Sequence, residues 1–433
     1  MVCHGLRARQ LEWKREQARE NRIQRFRFGE IRKQIGEQTG RIGKQVLHTC
    51  YRQVAVPDFF QVFDSALESG DPVQALRSLA DELRAGGRYD LLFDIRGMIA
   101  RLELGLPPIW NAPAASFPAE LRPKYDEAVY AAAREAGRLY LEAGNIPAGY
   151  RYFHAIGETA PVIAALDGLG ADYDPGEQLE GVIAIALEHG LHPRKGIELI
   201  LHRHGMCRAI TAFGMYPVEK DRRECIAMLV RELHAEVVDR MRRTIEQQEG
   251  AASATKSLPE LMTGRDWLFG EYDYYVDTSH LTSLIPYCLE PVDAITLGLI
   301  DELCEYGRHL SQNFVFRGQP PFENGYVGYQ HYSRALLGRD TEVNITYFRE
   351  KLAEPVAADV AQVLVMLLAR IGRYREGLDI FVDYLTGEDP AYLRCPGAIE
   401  LALEAHETRR MADIARERQD VVSYAAARVL AAR

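Results

Sequence analysis

Long apolar runs are missing from this sequence. The longest, Val182–Leu187 and Val363–Ala369, fall far short of the ~18 residues that a membrane-spanning helix needs, so no span is expected. Paired cysteines are missing too. The seven cysteines, at positions 3, 50, 207, 225, 288, 304 and 395, are scattered, odd in number and never spaced Cys-x-x-Cys, which fits reduced thiols better than a disulfide framework or a zinc site. Most sit in helical apolar patterns, as at Cys225 before Ile226 and Cys304 after Leu303, and read as small buried hydrophobes. There is no Walker-type loop, no Gly-x-Gly-x-x-Gly after a strand, no Gly-x-Ser-x-Gly and no His-Glu-x-x-His, so phosphate chemistry on a known loop is not expected. Alternating β-branched runs are nearly absent, which leaves an all-α fold.

What is present is ordinary globular material, with 47% apolar and 26% charged residues, a balance that builds a sizeable core. A length of 433 exceeds one ordinary domain of ~100–200 residues, so two or three units or one extended solenoid are expected. The net charge of −10 conceals an asymmetry: residues 1–50 hold 12 Lys and Arg against 5 Glu, leaving +7, and the remainder holds 40 against 57, leaving −17. A basic arm on an acidic body folds back on it or meets an acidic partner more readily than it binds nucleic acid. The basic start, with Arg7, Arg9, Lys14, Arg15 and Arg19, has no apolar core region after it and does not read as a secretory signal, so a cytoplasmic protein is expected.

Taken in order, residues 1–56 form a basic arm in which Ile31, Ile35, Ile42 and Val46 give only a trace of helical spacing, and too few apolar groups to offset the entropy of ordering. From Pro57 the texture changes. Helices are expected over Val73–Ala85, Tyr89–Leu102, Lys124–Ala143 and Ala148–Ile156, each with apolar residues at a period near 3.6, and the prolines between 106 and 118 exclude helix there. After Pro217, the positions Ile226, Leu229, Val230, Leu233, Val237, Met241 and Ile245 share one face of a helix of roughly seven turns. The small residues of Gly250–Ser257 read as a linker and mark a boundary. From 341 the pattern returns to plain helices, ending in Arg409–Ala432.

Gly137, Tyr140, Gly144, Ile146, Gly149, Phe153 and Ile156 repeat their spacing in Leu364, Leu368, Gly372, Tyr374, Gly377 and Phe381, and more faintly in Gly70, Ala75 and Leu79. In this the chain resembles the tetratricopeptide repeat, whose small residues let two antiparallel helices approach while an aromatic fills the groove between them. The resemblance covers about three units, which do not recur at the family's period of about 34 residues. It implies an irregular helical-repeat solenoid that offers a surface to a partner peptide or protein.

The stretch from Gly264 to Tyr332 interrupts the plain helices with Trp, Phe and Tyr crowded among Asp, His and Asn. Trp267, Tyr274, Tyr275, Tyr326 and Tyr329 are the candidate partner-binding residues, because a ring with a polar tip binds well at low entropy cost. Asp277 and His280, at i and i+3, share a helix face and suit joint ligation of a divalent metal or a carboxylate-oriented general base, with His154, His189, His192, His309 or His331 as a third group brought in by the fold. A separate histidine cluster, His189, His192, His202 and His204, offers His189 and His192 as metal candidates, although a histidine in a last helical turn is favoured by the helix dipole alone.

The expected organisation is a basic arm over 1–56, helical repeats over 57–249, an aromatic and polar helical region over 258–340, and further helical repeats over 341–433. The expected function is a protein- or peptide-binding scaffold that needs no cofactor; the alternative is a metal-dependent enzyme with its site in the central Asp/His/Tyr-rich region.

Overall fold

The computed structural model describes residues 58–432 apart from 69, 113–115, 171, 172, 174, 175, 217, 218, 252, 253, 354 and 355, so the basic arm expected over 1–56 lies outside the described residues. Among the described residues the chain is all-α, without a strand, and no helix is long and apolar enough to cross a membrane. It divides into two compact units, Met1–His192 and Pro193–Arg433. The linker expected at 250–257 therefore falls inside the second unit. Its far end is tied down: the Leu258 amide donates to Glu302 Oε2 at 2.8 Å, and the same carboxylate oxygen meets His234 Nε2 at 2.8 Å.

In the first unit, α1 (Phe59–Leu67), α2 (Pro72–Ala85), α3 (Tyr89–Glu103), α4 (Arg122–Glu142) and α5 (Ile146–Ala155) each pack on the next. Their starts follow from sequence. Asp71 accepts from the Val73 amide ahead of the first-turn Pro72, and Asn145 accepts from Ala148 at 3.0 Å. Tyr89, Phe93, Tyr140 and Tyr152 interlock between helices, with Tyr89 edge-on to Tyr140 at 5.0 Å and Phe93 edge-on to Tyr152 at 5.3 Å. After α6 (Ala160–Asp167), the helix expected near 177–189 is composite: a 3₁₀ turn, α7 (Leu179–Ile183) and a π-helical turn over Ala184–Glu188.

The second unit opens with α8 (Pro193–His204), α9 (Met206–Met215) and α10 (Arg222–Glu249). All seven apolar residues expected on one face of α10 are buried, each such side chain contributing ~1.5–3 kcal/mol. Then come α11 (Leu258–Met262), a loop over 263–277, α12 (Thr278–Leu284), α13 (Ala294–His309), α14 (Gly325–Leu336) and α15 (Thr341–Glu350). The unit ends with α16 (Ala357–Arg370), α17 (Tyr374–Tyr384), α18 (Ala398–Glu404), α19 (Thr408–Glu417) and α20 (Val421–Ala431), in which each helix packs on the next. The stretch 409–432 is thus two helices, broken where Gln419 takes φ 55°.

One turn geometry recurs through both units. At Gly144 (φ 76°) and Gly372 (φ 78°) the following amide reaches back to the carbonyl five residues earlier, Asn145 to Tyr140 and Arg373 to Leu368, both at 2.8 Å. This closes the helix end and releases the chain into the next helix. The same bond joins Glu407 to Ala402 and Asp420 to Ala415, both at 2.8 Å, with His406 and Gln419 in place of glycine.

Candidate functional site

The loop 263–277 is positioned from beneath by α13 and the turn after it. Its buried members are Leu268 and Val276. The Tyr275 amide donates to the Tyr306 hydroxyl at 2.8 Å, the Tyr275 hydroxyl donates to the Leu268 carbonyl at 3.1 Å, and Ser311 and Asn313 both donate to the Glu271 carbonyl. Arg265 forks onto Glu249 at the end of α10. On this fixed backbone Trp267, Tyr272 and Tyr274 stand 43%, 71% and 53% exposed, while Tyr275 is half-buried as an anchor. Tyr272 joins the group through geometry; in the sequence nothing separates it from its neighbours. Asp266, Glu271 and Asp273 are exposed among the rings, so the patch is aromatic and acidic together.

Tyr326 and Tyr329 do not belong to a surface. Both are buried, Tyr326 edge-on to Phe316 at 5.6 Å and Tyr329 stacked on Phe322 at 4.0 Å. A side chain at Gly307 would overlap the Tyr326 ring, so α13 and α14 close tightly around it. Burial pushes both phenols well up from their ordinary value. Helical spacing placed them correctly on one face, and that face turns inward.

Asp277 caps α12, accepting from the Ser279 amide at 2.9 Å, and the Ser279 hydroxyl and amide hold its carboxyl below the usual carboxylate range. His280, one turn on, is 8% exposed. Because α12 packs against α9 and α10, the imidazole meets the start of α9, where Cys207 Sγ lies 2.9 Å from His280 Nε2. One ligating atom from each of Cys207, Asp277 and His280 lies within 4.8 Å of the others, the one such group among the described residues. His280 Nδ1 is buried with no hydrogen-bond partner. The third member is therefore a cysteine 73 residues away rather than a histidine.

The histidines are occupied elsewhere. His192 is buried with Nε2 2.6 Å from Asp167 Oδ1, while His189 packs beside Tyr150 at 5.3 Å, and neither belongs to a group of three ligating residues among the described ones. His154 Nδ1 meets the Tyr150 hydroxyl at 3.2 Å. His309 Nδ1 meets the Glu305 carbonyl, and His331 Nδ1 meets Asn344 Oδ1 at 2.7 Å, where burial lowers its pKa. Cys225, Cys288 and Cys304 are buried, as a small hydrophobe should be; Cys207 is exposed. The one signal for it in sequence is its place directly after Gly205-Met206, in the first turn of a helix.

No protein-family model matches the chain, and neither does a curated protein or a solved structure.

Proposed function

We infer that this chain is a cytoplasmic helical-repeat scaffold, of tetratricopeptide-like construction, that binds a protein or peptide partner through the loop 263–277. The observation that carries the reading is the set of exposed rings, Trp267, Tyr272 and Tyr274, on a backbone held by hydrogen bonds to α13 and its flanking turn. Rings on a fixed frame bind without losing much chain entropy. The hairpins with small residues at their crossings support the repeat construction.

The neighbouring Asp266, Glu271 and Asp273 select the partner's charge. A Lys- or Arg-bearing segment gains cation–π contact with the rings and complementarity with the carboxylates, and the acidic body steers it in. The same field disfavours nucleic acid.

Replacing Tyr272 by a benzoylphenylalanine photocrosslinker tests this. Crosslinked segments enriched in Lys and Arg, and lost when Trp267→Ser is added, are the expected result. No crosslinked segment, or a set unchanged by Trp267→Ser, overturns it.

A further inference from the structure

We propose that Cys207, Asp277 and His280 form a site for a borderline-soft divalent cation, zinc foremost, with one coordination position left open to solvent. This goes beyond partner binding and does not depend on it.

The donor set selects the ion. A thiolate with an imidazole suits zinc and its neighbours and disfavours magnesium and calcium, which take oxygen. Three protein ligands on a surface, two of them exposed, leave the fourth tetrahedral position to water.

Geometry is close to what ligation requires. Tetrahedral zinc with Zn–S of ~2.3 Å and Zn–N of ~2.0–2.1 Å separates the two donors by about 3.6 Å. The present 2.9 Å between Cys207 Sγ and His280 Nε2 must therefore open by roughly 0.7 Å, which a side-chain rotation of exposed Cys207 absorbs. Asp277 caps α12 by accepting from the Ser279 amide at Oδ1, and the Ser279 hydroxyl also bonds to this carboxyl, which with about four lone-pair sites keeps acceptor capacity for an ion.

The imidazole itself points to a missing ligand. His280 is buried, and its Nε2, the atom that would ligate, meets only the Cys207 sulfur, a weak hydrogen-bonding group; Nδ1, on the other edge of the ring, has no partner with or without an ion. Polar atoms this deep normally find good partners. A cation at Nε2 replaces the weak contact with a strong one, and it offsets the charge of the Asp277 carboxylate beside the imidazole. On ligation the Cys207 thiol releases its proton to solvent.

Cobalt(II) titration of the full, untagged, reduced and metal-free chain tests the site. We expect one equivalent to bind with a thiolate-to-cobalt absorption band, and zinc to displace it. Cys207→Ser should abolish the band. Asp277→Asn should weaken binding by at least the tenfold or so that even an outer-shell partner is worth. Both positions are exposed, so helical circular dichroism should be retained. Absence of the band in the wild type, or a band unchanged in Cys207→Ser, overturns the proposal. So does Asp277→Asn binding that equals wild type, because then the carboxylate is no ligand.

Discussion

The α4–α5 and α16–α17 hairpins share one pattern and use it differently. In each a glycine turn is followed at the same spacing by an apolar or aromatic residue, a second glycine and a phenylalanine: Gly144, Ile146, Gly149 and Phe153 in one, Gly372, Tyr374, Gly377 and Phe381 in the other. The turns match to the hydrogen bond. The second glycines do not. A Cβ on Gly149 would lie 2.7 Å from Leu141 Cδ2 and 3.0 Å from the Gly137 carbonyl, whereas one on Gly377 would meet Leu401 at an ordinary 3.4 Å. Gly137 is equally confined, since its Cβ would lie 2.8 Å from the Phe153 ring. A repeated spacing specifies how the chain turns; how closely two helices approach is decided pair by pair.

The largest effect should be the one the hairpins have in common. Phe153 and Phe381 are both buried, and truncation of either to alanine should destabilise its own unit by about 3–5 kcal/mol, read from urea unfolding with hydrogen exchange assigning the loss to that unit. Unequal losses would show that one ring packs on a softer wall. Gly149→Ala should break the comparison next, costing about 1–3 kcal/mol as α4 and α5 are forced apart at Leu141. Gly377→Ala, the smallest change, should run the other way and stabilise by about 0.4–1 kcal/mol, because a helical glycine with room for a methyl only adds freedom to the unfolded chain. Equal and opposite-to-expected shifts from these two alanines would show that glycine serves the same purpose in both hairpins.

Much of this was legible in sequence because it is local. Asp71 with Pro72 announces the start of α2, seven apolar residues at helical spacing announce α10, and Gly144 and Gly372 announce their turns. His406 and Gln419 hid theirs, since a left-handed residue other than glycine leaves no mark, and so 409–432 read as continuous helix. The small-residue stretch 250–257 reads locally as a linker, and the contact that holds its far end is non-local: Glu302 accepts from the amide of Leu258. Spacing put Tyr326 and Tyr329 on one face of α14 but not on which side Phe316 and Phe322 would lie. Of the candidate metal site, Asp277 and His280 were visible as neighbours on one helix. Cys207 was not, because a cysteine in an apolar pattern is usually core and only the packing of α12 on α9 brings it 2.9 Å from the imidazole.

The loop 263–277 has a consequence for how this protein could change over time. Its contacts to the body run through two main-chain groups, the Glu271 carbonyl and the Tyr275 amide, and through the side chains of Arg265, Leu268, Phe269, Tyr274, Tyr275 and Val276. Trp267 and Tyr272 contribute little to holding the frame in place, whereas Tyr274 also packs on Phe314 at 5.1 Å. Substitution at Trp267 and Tyr272 can therefore change the chemistry that the loop displays, and with it the proposed specificity, without passing through an unfolded intermediate, so the frame can persist in descendants whose exposed surface differs.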